Sequence, residues 1–440
     1  MFHLIDNMKK IFKKFIILVI TWQSKLILKR YHPKIIAITG SVGKTSTKDA
    51  IFAILSKFKI VRKSEKSFNS EIGLPLTILG SPNGWDDPFI WLENIIHGFW
   101  LILWKQKYPE YLILEVGVGK PGDIKKNVVP WLHPDIVVVT RFPDKPVHVE
   151  FFGSVDKIIE EKSALAYAVK KDGILILNHD DEKVYSLYQK SNCRTVSFGL
   201  HENSTYHGIY PSYLYTNREG IKVPSGISFK LEYNGNTFPV TLPNIVGMHN
   251  VGQALSAIAC ACELGCDLLD SIKAVSEYVN PPSRLSLLEG INNSVIIDDT
   301  YNSSPVAVVS AIEVLRDIEG KRKIAVLGDM LELGKFTEEE HRNIGSKIVG
   351  IADVLIVVGP RAKIIAEEAL EKGFVEKNIY IFDSSKTAGN FLEGMVEKGD
   401  IVLIKGSQGV RLERAVGAIM KHKELKKKLI CRQEKEWLNR

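Results

Sequence analysis

The segment from residue 34 to residue 58 constrains the fold more than any other part of the chain. KIIAITG at 34–40 is an apolar run of strand length that ends in a glycine, and TSTKDAIFAILSKF at 45–58 has apolar residues at helical spacing. Between them, ITGSVGKTSTKD combines glycines, a lysine and hydroxyl side chains. A strand, a glycine turn and a helix in this order are typical of a phosphate-binding loop. The chain is therefore predicted to contain an α/β nucleotide-binding domain.

The residue types of this loop suit phosphate chemistry. Backbone N–H groups of a glycine-permitted turn can face phosphate oxygens, Lys44 can reach the terminal phosphates, and Thr45 can bind magnesium. Gly40 and Gly43 are closer together than in the generic Walker pattern. The predicted nucleotide contacts are Gly40, Ser41, Val42, Gly43, Lys44, Thr45 and Ser46.

The alternation of strands and helices continues along the chain. YLILEVG, DIVVVTR and GILILN follow the loop, and NSVIIDDTY, RKIAVLGD, VLIVVG, IYIFD and DIVLIKGS follow the proline pair at 281–282. Short alternating runs between about 200 and 242, with an Asn-Gly turn, predict a small antiparallel excursion. The predicted fold class is α/β, with a phosphate-loop central domain on a mostly parallel sheet and a C-terminal doubly wound, Rossmann-like domain.

A chain of 440 residues is long enough for two or three domains. The predicted division is a basic apolar helix at 1–33, a central nucleotide-binding domain at 34–280 with a tryptophan-rich insertion at 81–110, a C-terminal domain at 283–420 and a charged tail at 421–440.

The charge distribution and the cysteines limit the possible partners and the compartment of the protein. Much of the net charge of +7 lies at the two ends of the chain, where it could meet acidic lipid, phosphate or water. No nucleic-acid partner is predicted. The five cysteines form no evenly spaced framework, and Cys260, Cys262 and Cys266 lie in one predicted helix, where small core residues explain them better than a metal site. A reducing, cytoplasmic compartment is therefore expected.

Two apolar segments each allow two interpretations. FIILVITW at 15–22 is too short to span a bilayer, and the longer run at 11–28 includes lysines and other polar residues. WDDPFIWLENIIHGFWLILWKQKYP at 85–109 contains four tryptophans among aliphatic residues. Either segment could pack on the protein's own core or lie in a membrane interface. Peripheral contact with the inner face of the membrane, through residues 1–30 and 85–105, is therefore one of the two interpretations.

The shortened loop TGSVGKT resembles that of the Mur ligases and their folylpolyglutamate and cyanophycin synthetase relatives. Further matches follow in family order: FNSEIGLPLTIL, LEVGVGKPGDI, HVEFFGSVDKIIEEKSAL, GMHNVGQALSA, PPSRL, DDTYNSSP, LGDMLELG and VLIKGSQG. The resemblance implies an ATP- and magnesium-dependent ligase that activates a carboxylate as an acyl phosphate, which an amine then attacks. DDTYNSSP and LGDMLELG are most similar to the branch that adds D-alanyl-D-alanine to a muramoyl tripeptide in peptidoglycan precursor synthesis.

The resemblance also implies catalytic roles. Lys44 would hold the β- and γ-phosphates, and Thr45 and Glu115 would hold the magnesium ion that bridges them. His148 would bind a second magnesium ion together with Lys162, which the family carries as a carbamate. Periodicity alone makes Lys162 a surface lysine of the charged stretch EEKSA, whereas its spacing from His148 in the matched segment favours the metal site.

The remaining implied contacts concern the nucleotide base, the ribose and the substrates. Asn250 is implied at the adenine, Arg284 on the phosphates and Asp299 near the ribose, while Asn69 and Lys405 are implied in substrate binding, Lys405 facing the interdomain cleft. From the residues alone, Asn250 could instead cap its helix and Asp299 could simply end its strand.

The sequence departs from the family before the loop. Mur ligases of peptidoglycan synthesis carry an N-terminal domain that binds the uridine nucleotide, and about 33 residues are too few for one. The acceptor could then be the uridine-linked muramoyl tripeptide or another peptide or lipid-linked carboxylate. A membrane-associated P-loop NTPase is an alternative from another class, although the second α/β domain and the segment around Lys162 argue against it.

Overall fold

The computed structural model describes residues 2–65, 71–85, 87–142, 152–218, 220–434 and 437, without the side chains of 2–11, 218 and 221. The described chain divides into two compact units. The first unit comprises residues 1–208, 231–236 and 252–275, and the second comprises 209–230, 237–251 and 276–440. The predicted domain boundaries at 34–280 and 283–420 stay a prediction.

The first unit is built on a parallel sheet whose central strand leads into the glycine loop. The strand order β2-β3-β1-β4-β5-β6 places β1 between β3 and β4, and its neighbours pair with it in parallel. β1, β3 and β4 are buried along almost their whole length, as expected for parallel strands covered on both faces. The strands are β1 (Lys34–Thr39), β2 (Val61–Lys63), β3 (Tyr111–Glu115), β4 (Ile136–Val139), β5 (Ile174–Asn178) and β6 (Arg194–Gly199).

The helices of this part of the chain include the predicted ones at the N-terminus, after the glycine loop and around the three cysteines. They are α1 (Phe2–Tyr31), α2 (Lys44–Leu55), α3 (Gly73–Leu79), α4 (Pro88–Leu103), α5 (Val155–Ala166), α6 (Glu182–Tyr185), α7 (His249–Glu263) and α8 (Leu268–Ser276), with a 3₁₀ turn at Ser186–Lys190.

Three longer strands extend the same sheet to nine, in agreement with the predicted antiparallel excursion. They are β7 (Tyr206–Arg218), β8 (Ile221–Tyr233) and β9 (Asn236–Pro243). Two residues connect β8 to β9, and so short a connection joins only antiparallel neighbours. These two residues, Asn234 and Gly235, both have positive φ, 49° and 76°, as the tight hairpin turn requires.

The second unit contains the predicted doubly wound sheet, in the order β10-β11-β15-β12-β13-β14. All pairs from β11 to β14 are parallel, whereas β10, which the sequence analysis did not predict, is antiparallel to β11. The predicted α/β fold is thereby confirmed. The strands are β10 (Ser286–Glu289), β11 (Val295–Asp299), β12 (Arg322–Gly328), β13 (Val354–Val358), β14 (Ile379–Phe382) and β15 (Asp400–Lys405).

Helices separate these strands along the chain. They are α9 (Pro305–Asp317), α10 (Thr337–Ile348), α11 (Lys363–Glu371), α12 (Ser385–Met395), α13 (Glu413–Ile419) and α14 (Lys426–Leu429), and the 3₁₀ turns are Ile291–Asn293, Gly334–Phe336, Glu376–Asn378, Gln408–Val410 and Lys423–Leu425.

The two apolar segments of the first unit both pack on its core. Ile16, Ile20 and Ile27 of α1 join the same buried cluster as Trp91 and Leu101 of α4. This confirms core packing for one side of each helix. Within the residues that the structure describes, none of the helices combines the length and the apolar character needed to cross a bilayer.

Candidate active site

The loop after β1 has a backbone that only glycine accommodates at its first position. Gly40 has a φ of +137°, and a Cβ atom there would lie 2.1 Å from Thr140 Oγ1. Gly43 has a φ of 86° and precedes α2, which therefore begins without a side-chain cap. An uncapped helix start presents backbone N–H groups and a partial positive charge, which favour an anion. The loop thus has the form predicted for a phosphate site.

The predicted magnesium ligands of the loop lie together. The hydroxyl of Thr45 donates a hydrogen bond of 3.0 Å to Glu115 Oε2. β1 and β3 pair with Ile38 opposite Glu115, so the strand register brings this carboxylate to the loop. Lys44 Nζ donates to the carbonyl oxygen of Gly40 at 3.0 Å.

Lys48 is a member of this cluster that the sequence analysis missed. Its side chain is 1% exposed, and its Nζ lies 3.6 Å from Glu115 Oε2. The signal for it was present in the sequence, because residues four apart on a helix share a face and Lys48 follows Lys44 by four. Lys48 thus places a buried positive charge beside the carboxylate of Glu115.

The donor set at the loop fits a magnesium ion that arrives with a nucleotide. Hydroxyl and carboxylate oxygens are ligands that this ion prefers, and it is usually held by one or two protein oxygens together with phosphates and waters. Among the residues that the structure describes, no group of three or more His, Cys, Asp and Glu side chains could hold a metal ion. The roles of Thr45 and Glu115 as magnesium ligands stay a prediction.

Lys162 contacts the loop instead of facing solvent, so its interpretation as a surface lysine is wrong. The side chain is 6% exposed, and its Nζ donates to Ser41 Oγ at 2.5 Å. Burial, and then the positive charge of Lys44, lower the pKa of Lys162 well below its ordinary value. This shift favours the neutral amine more than in a lysine exposed to water.

The helix that carries Lys162 is anchored at its start and in its second turn. Ser154 caps α5 by accepting from the backbone N–H of Lys157. Glu161, next to Lys162, accepts backbone N–H groups of Gly122, Ile124 and Lys125 at 2.8–3.0 Å. These bonds hold Lys162 at the loop.

Two predicted site residues, Asn69 and His148, lie outside the described residues.

In the second unit, the structure joins two residues that were predicted separately. β11 and β15 pair in parallel with Asp299 opposite Lys405. Lys405 is 1% exposed, and its Nζ lies 2.6 Å from Asp299 Oδ2 while also donating to the carbonyl oxygen of Asn302 at 2.8 Å. Asp299 accepts the backbone N–H of Leu285 as well. The predicted ribose contact and the predicted substrate lysine thus form one ion pair, in which Lys405 is buried and Asp299 is half-buried.

Arg284 lies in the same unit with part of its guanidinium group unsatisfied. The guanidinium carbon is 4.1 Å from the centroid of the Tyr301 ring, a cation–π contact. Its Nε is buried and has no hydrogen-bond partner among the residues that the structure describes. A buried donor without a partner is costly. A phosphate oxygen would supply the missing acceptor, which is consistent with the predicted role.

Asn250 lies in the first turn of α7 and is buried. Its side-chain nitrogen donates to the carbonyl oxygens of Val246 and Gly247 at 2.7 and 3.1 Å. The side chain thereby stabilises the turn before α7. It does not cap the helix, which would require the side chain to accept a backbone N–H. A contact with adenine would have to use the amide oxygen or a rotated side chain, and stays a prediction.

Two family models match the chain. The Mur ligase middle domain matches residues 38–261, and the Mur ligase, glutamate ligase domain matches residues 283–408. This chain belongs to the Mur ligase family.

Relatives of this Mur ligase carry the name that the tripeptide-ligase motifs indicated. UDP-N-acetylmuramoyl-tripeptide–D-alanyl-D-alanine ligase of Bacillus subtilis is 31% identical over 396 residues, which cover 89% of this chain and 77% of the relative. The enzyme of that name from Escherichia coli is 26% identical, with 88% and 77% covered. The solved structure of MurF ligase from Thermotoga maritima in complex with ADP matches with a TM-score of 0.72 and 25% identity, over 94% of this chain and 84% of that one.

Proposed function

We propose that this Mur ligase joins D-alanyl-D-alanine to a muramoyl tripeptide in an ATP-dependent reaction of peptidoglycan precursor synthesis. The observation that carries the proposal is the meeting of Lys44, Thr45 and Glu115 at a loop whose glycines admit phosphate. The named relatives support the choice of substrates, because they cover nearly nine tenths of the chain. The ADP complex of the Thermotoga maritima protein supports the nucleotide.

The chemistry proceeds in two steps. A carboxylate oxygen of the tripeptide attacks the γ-phosphorus of ATP, and the bond to the β-phosphate oxygen breaks, giving an acyl phosphate and ADP. The amine of the dipeptide then attacks the acyl carbon, inorganic phosphate leaves with the electrons of the C–O bond, and the amine loses a proton. Lys44 and the N–H groups at the start of α2 hold the phosphates in line for the first step. Thr45 and Glu115 would hold magnesium, which neutralises phosphate charge when bound.

Lys162 is the residue for which we propose a covalent modification. A neutral amine adds to carbon dioxide and releases a proton, which converts the side chain into a carbamate anion. The lowered pKa of Lys162 favours the neutral amine that this reaction needs. The carbamate, with His148, would offer oxygen and nitrogen ligands to a second magnesium ion near Ser41.

The proposed location is the cytoplasm. ATP and the precursor nucleotide are small molecules of that compartment, and all five cysteines are free in the structure. The proposed partners are small-molecule substrates, a peptidyl carboxylate and an amino acid or dipeptide.

A substrate panel tests the proposal. The purified chain is given ATP and magnesium with the uridine-linked muramoyl tripeptide, with D-alanyl-D-alanine, or with both, and ADP release and product mass are followed. We expect ADP only when both substrates are present, with a product mass equal to their sum less one water. ADP release with neither substrate would indicate an NTPase instead. Product formed only when the tripeptide is replaced by another peptide or by a lipid-linked acid would assign a different acceptor.

A further inference from the structure

One surface of the first unit exposes large apolar side chains in two parallel stripes. Leu18 of α1 is 70% exposed and Phe89 of α4 is 79% exposed. The exposed residues recur at three- and four-residue intervals, so each stripe follows one side of its helix. We call this surface the α1–α4 face, formed by Phe12, Phe15, Leu18, Trp22, Phe89, Leu92, Ile96, Phe99, Trp100 and Leu103.

The two stripes form one continuous surface. The rings of Trp22 and Phe99 have centroids 6.0 Å apart, which joins the stripe of α1 to that of α4. Gly98 allows the close approach, because a Cβ atom there would lie 2.4 Å from Gln23 Oε1. Tyr31 adds a hydrogen bond of 2.9 Å from its hydroxyl to the carbonyl oxygen of Leu101.

Neither helix can turn its exposed stripe inward. The opposite sides of both helices already supply Ile20, Ile27, Trp91 and Leu101 to the core. Rotation would bury one stripe only by exposing the other. Ten large apolar side chains exposed on two neighbouring helices indicate a binding surface.

Positive charges outnumber negative ones around the α1–α4 face, although Asp86 and Asp87 immediately precede α4. Residues 12–31 contain five basic residues and no acidic one, and residues 88–107 contain two lysines and a single acidic residue, Glu93. The basic side chains are exposed: Lys13, Lys14, Lys25, Lys29, Arg30, Lys105 and Lys107. A partner must therefore offer an apolar interior and an anionic rim together.

We propose that the α1–α4 face docks on the surface of a bilayer that contains anionic lipid. Acyl chains accommodate the apolar stripes, anionic headgroups pair with the seven cations, and tryptophan and phenylalanine rings prefer the boundary between the two. A second copy of the chain fits less well, because a two-fold contact would bring the same cations together. This inference goes beyond the proposed reaction and does not depend on it.

The docked helices lie in the plane of the interface. α4 has 16 residues, and a helix that spans a bilayer needs about 20 apolar ones. α1 is longer, but its lysines and the buried polar pair Gln23 and Ser24 interrupt the apolar run. Docking therefore buries one side of each helix and leaves the other on the core.

Vesicle flotation with the full chain tests the docking. The probes are vesicles of phosphatidylcholine alone and of phosphatidylcholine with phosphatidylglycerol, each at low and high salt. We expect binding to the phosphatidylglycerol vesicles only, weakened by salt. Substitution of Leu92, Phe99 and Leu103 by Ser should weaken partitioning at least about tenfold, because each exposed side chain loses its place among acyl chains.

A matched variant carries Leu269→Ser, Leu370→Ser and Val375→Ser, three exposed apolar residues that are not part of the α1–α4 face. It should bind vesicles as the unchanged chain does. A second variant, with Lys13, Lys14 and Lys25 replaced by Gln, keeps the apolar stripes and should lose about fivefold in binding per lysine on anionic vesicles.

Two results would overturn the docking. One is a lack of binding by the unchanged chain to phosphatidylglycerol vesicles at low salt, and the other is equal binding by the Leu92, Phe99 and Leu103 variant. A dimer in solution that only this variant disrupts, without vesicle binding, would assign the face to a second copy. ADP release measured on the same samples separates this outcome from failure of the proposed reaction, since none of the three residues contacts the loop.

Discussion

The phosphate loop and the α1–α4 face depart from an ordinary protein surface in opposite directions. Around the loop, charged groups are buried, among them Lys48, Glu115 and Lys162. On the face, large apolar groups such as Leu18 and Phe89 are exposed. Burying a charge and exposing an apolar patch both cost free energy relative to the usual distribution. Each unusual surface therefore indicates the kind of partner it binds. Buried charges at the loop indicate a polyanionic nucleotide, and exposed apolar groups among cations at the face indicate an apolar surface with anionic groups.

The largest expected effect is at the loop. Lys162→Ala should lower turnover by about 10³-fold or more, because the proposed second metal ligand is removed, while ATP affinity changes little since Lys44 and the α2 start remain. Steady-state ADP release and nucleotide binding by calorimetry measure the two quantities. Activity that returns with an added small carboxylate would support the carbamate.

Lys157→Ala is the matched control for that substitution. Lys157 belongs to the same helix but is exposed. It should retain turnover within about twofold of the unchanged chain, as expected for a surface position. Near-normal turnover of Lys162→Ala would contradict the proposed carbamate.

The next effect separates backbone geometry from side-chain chemistry at the loop. Gly40→Ala should lower the free energy of unfolding by about 3 kcal/mol and weaken ATP binding, because a Cβ atom would meet Thr140 Oγ1 at 2.1 Å and the φ of +137° is unfavourable for alanine. Urea denaturation with and without ATP measures both changes.

Gly265→Ala provides the comparison, since Gly265 also has a positive φ, +85°, but a Cβ atom there meets nothing within 4 Å. The free energy of unfolding of this variant should fall by only about 1 kcal/mol. Equal losses in the two variants would show that the close approach at Gly40 adds nothing.

The sequence predicted the loop well because each of its elements is local. A strand, a glycine turn and a helix follow one another, and the family motifs placed Glu115 and Lys162 near them. The Asp299–Lys405 pair was not predicted, because it depends on the register of two strands more than a hundred residues apart. The exposed stripes could not be assigned either, since periodicity shows that a helix has an apolar side but not which side its neighbours cover.

A matched pair of substitutions tests the two sides of α1. Ile20→Ala should cost about 2–4 kcal/mol of unfolding free energy, because it leaves a cavity in the core cluster. Leu18→Ala, on the α1–α4 face, should change the free energy of unfolding by no more than about 0.5 kcal/mol. Chemical denaturation of both variants measures the difference. Similar losses would mean that Leu18 is covered in the folded chain.

The smallest expected effect is the loss of unfolding free energy caused by burying Lys162 at the loop. The folded state lowers the pKa of Lys162 from its ordinary 10.5, whereas the unfolded chain keeps the ordinary value. As pH falls below about 10.5, Lys162 binds a proton in the unfolded state but not in the folded state. The free energy of unfolding therefore decreases until the pH reaches the lowered pKa. Below that pH both states carry the proton, and the stability no longer changes. Lys162→Met has no proton to gain and should be more stable at neutral pH by about 1 kcal/mol, near the low end of the gains from replacing buried charges. Urea denaturation of both proteins in buffer free of carbon dioxide, from neutral pH to about 10.5, should show this gap closing as pH rises. A gap that stays constant with pH would mean that folding does not lower the pKa of Lys162, and that the difference between the two proteins comes from packing instead.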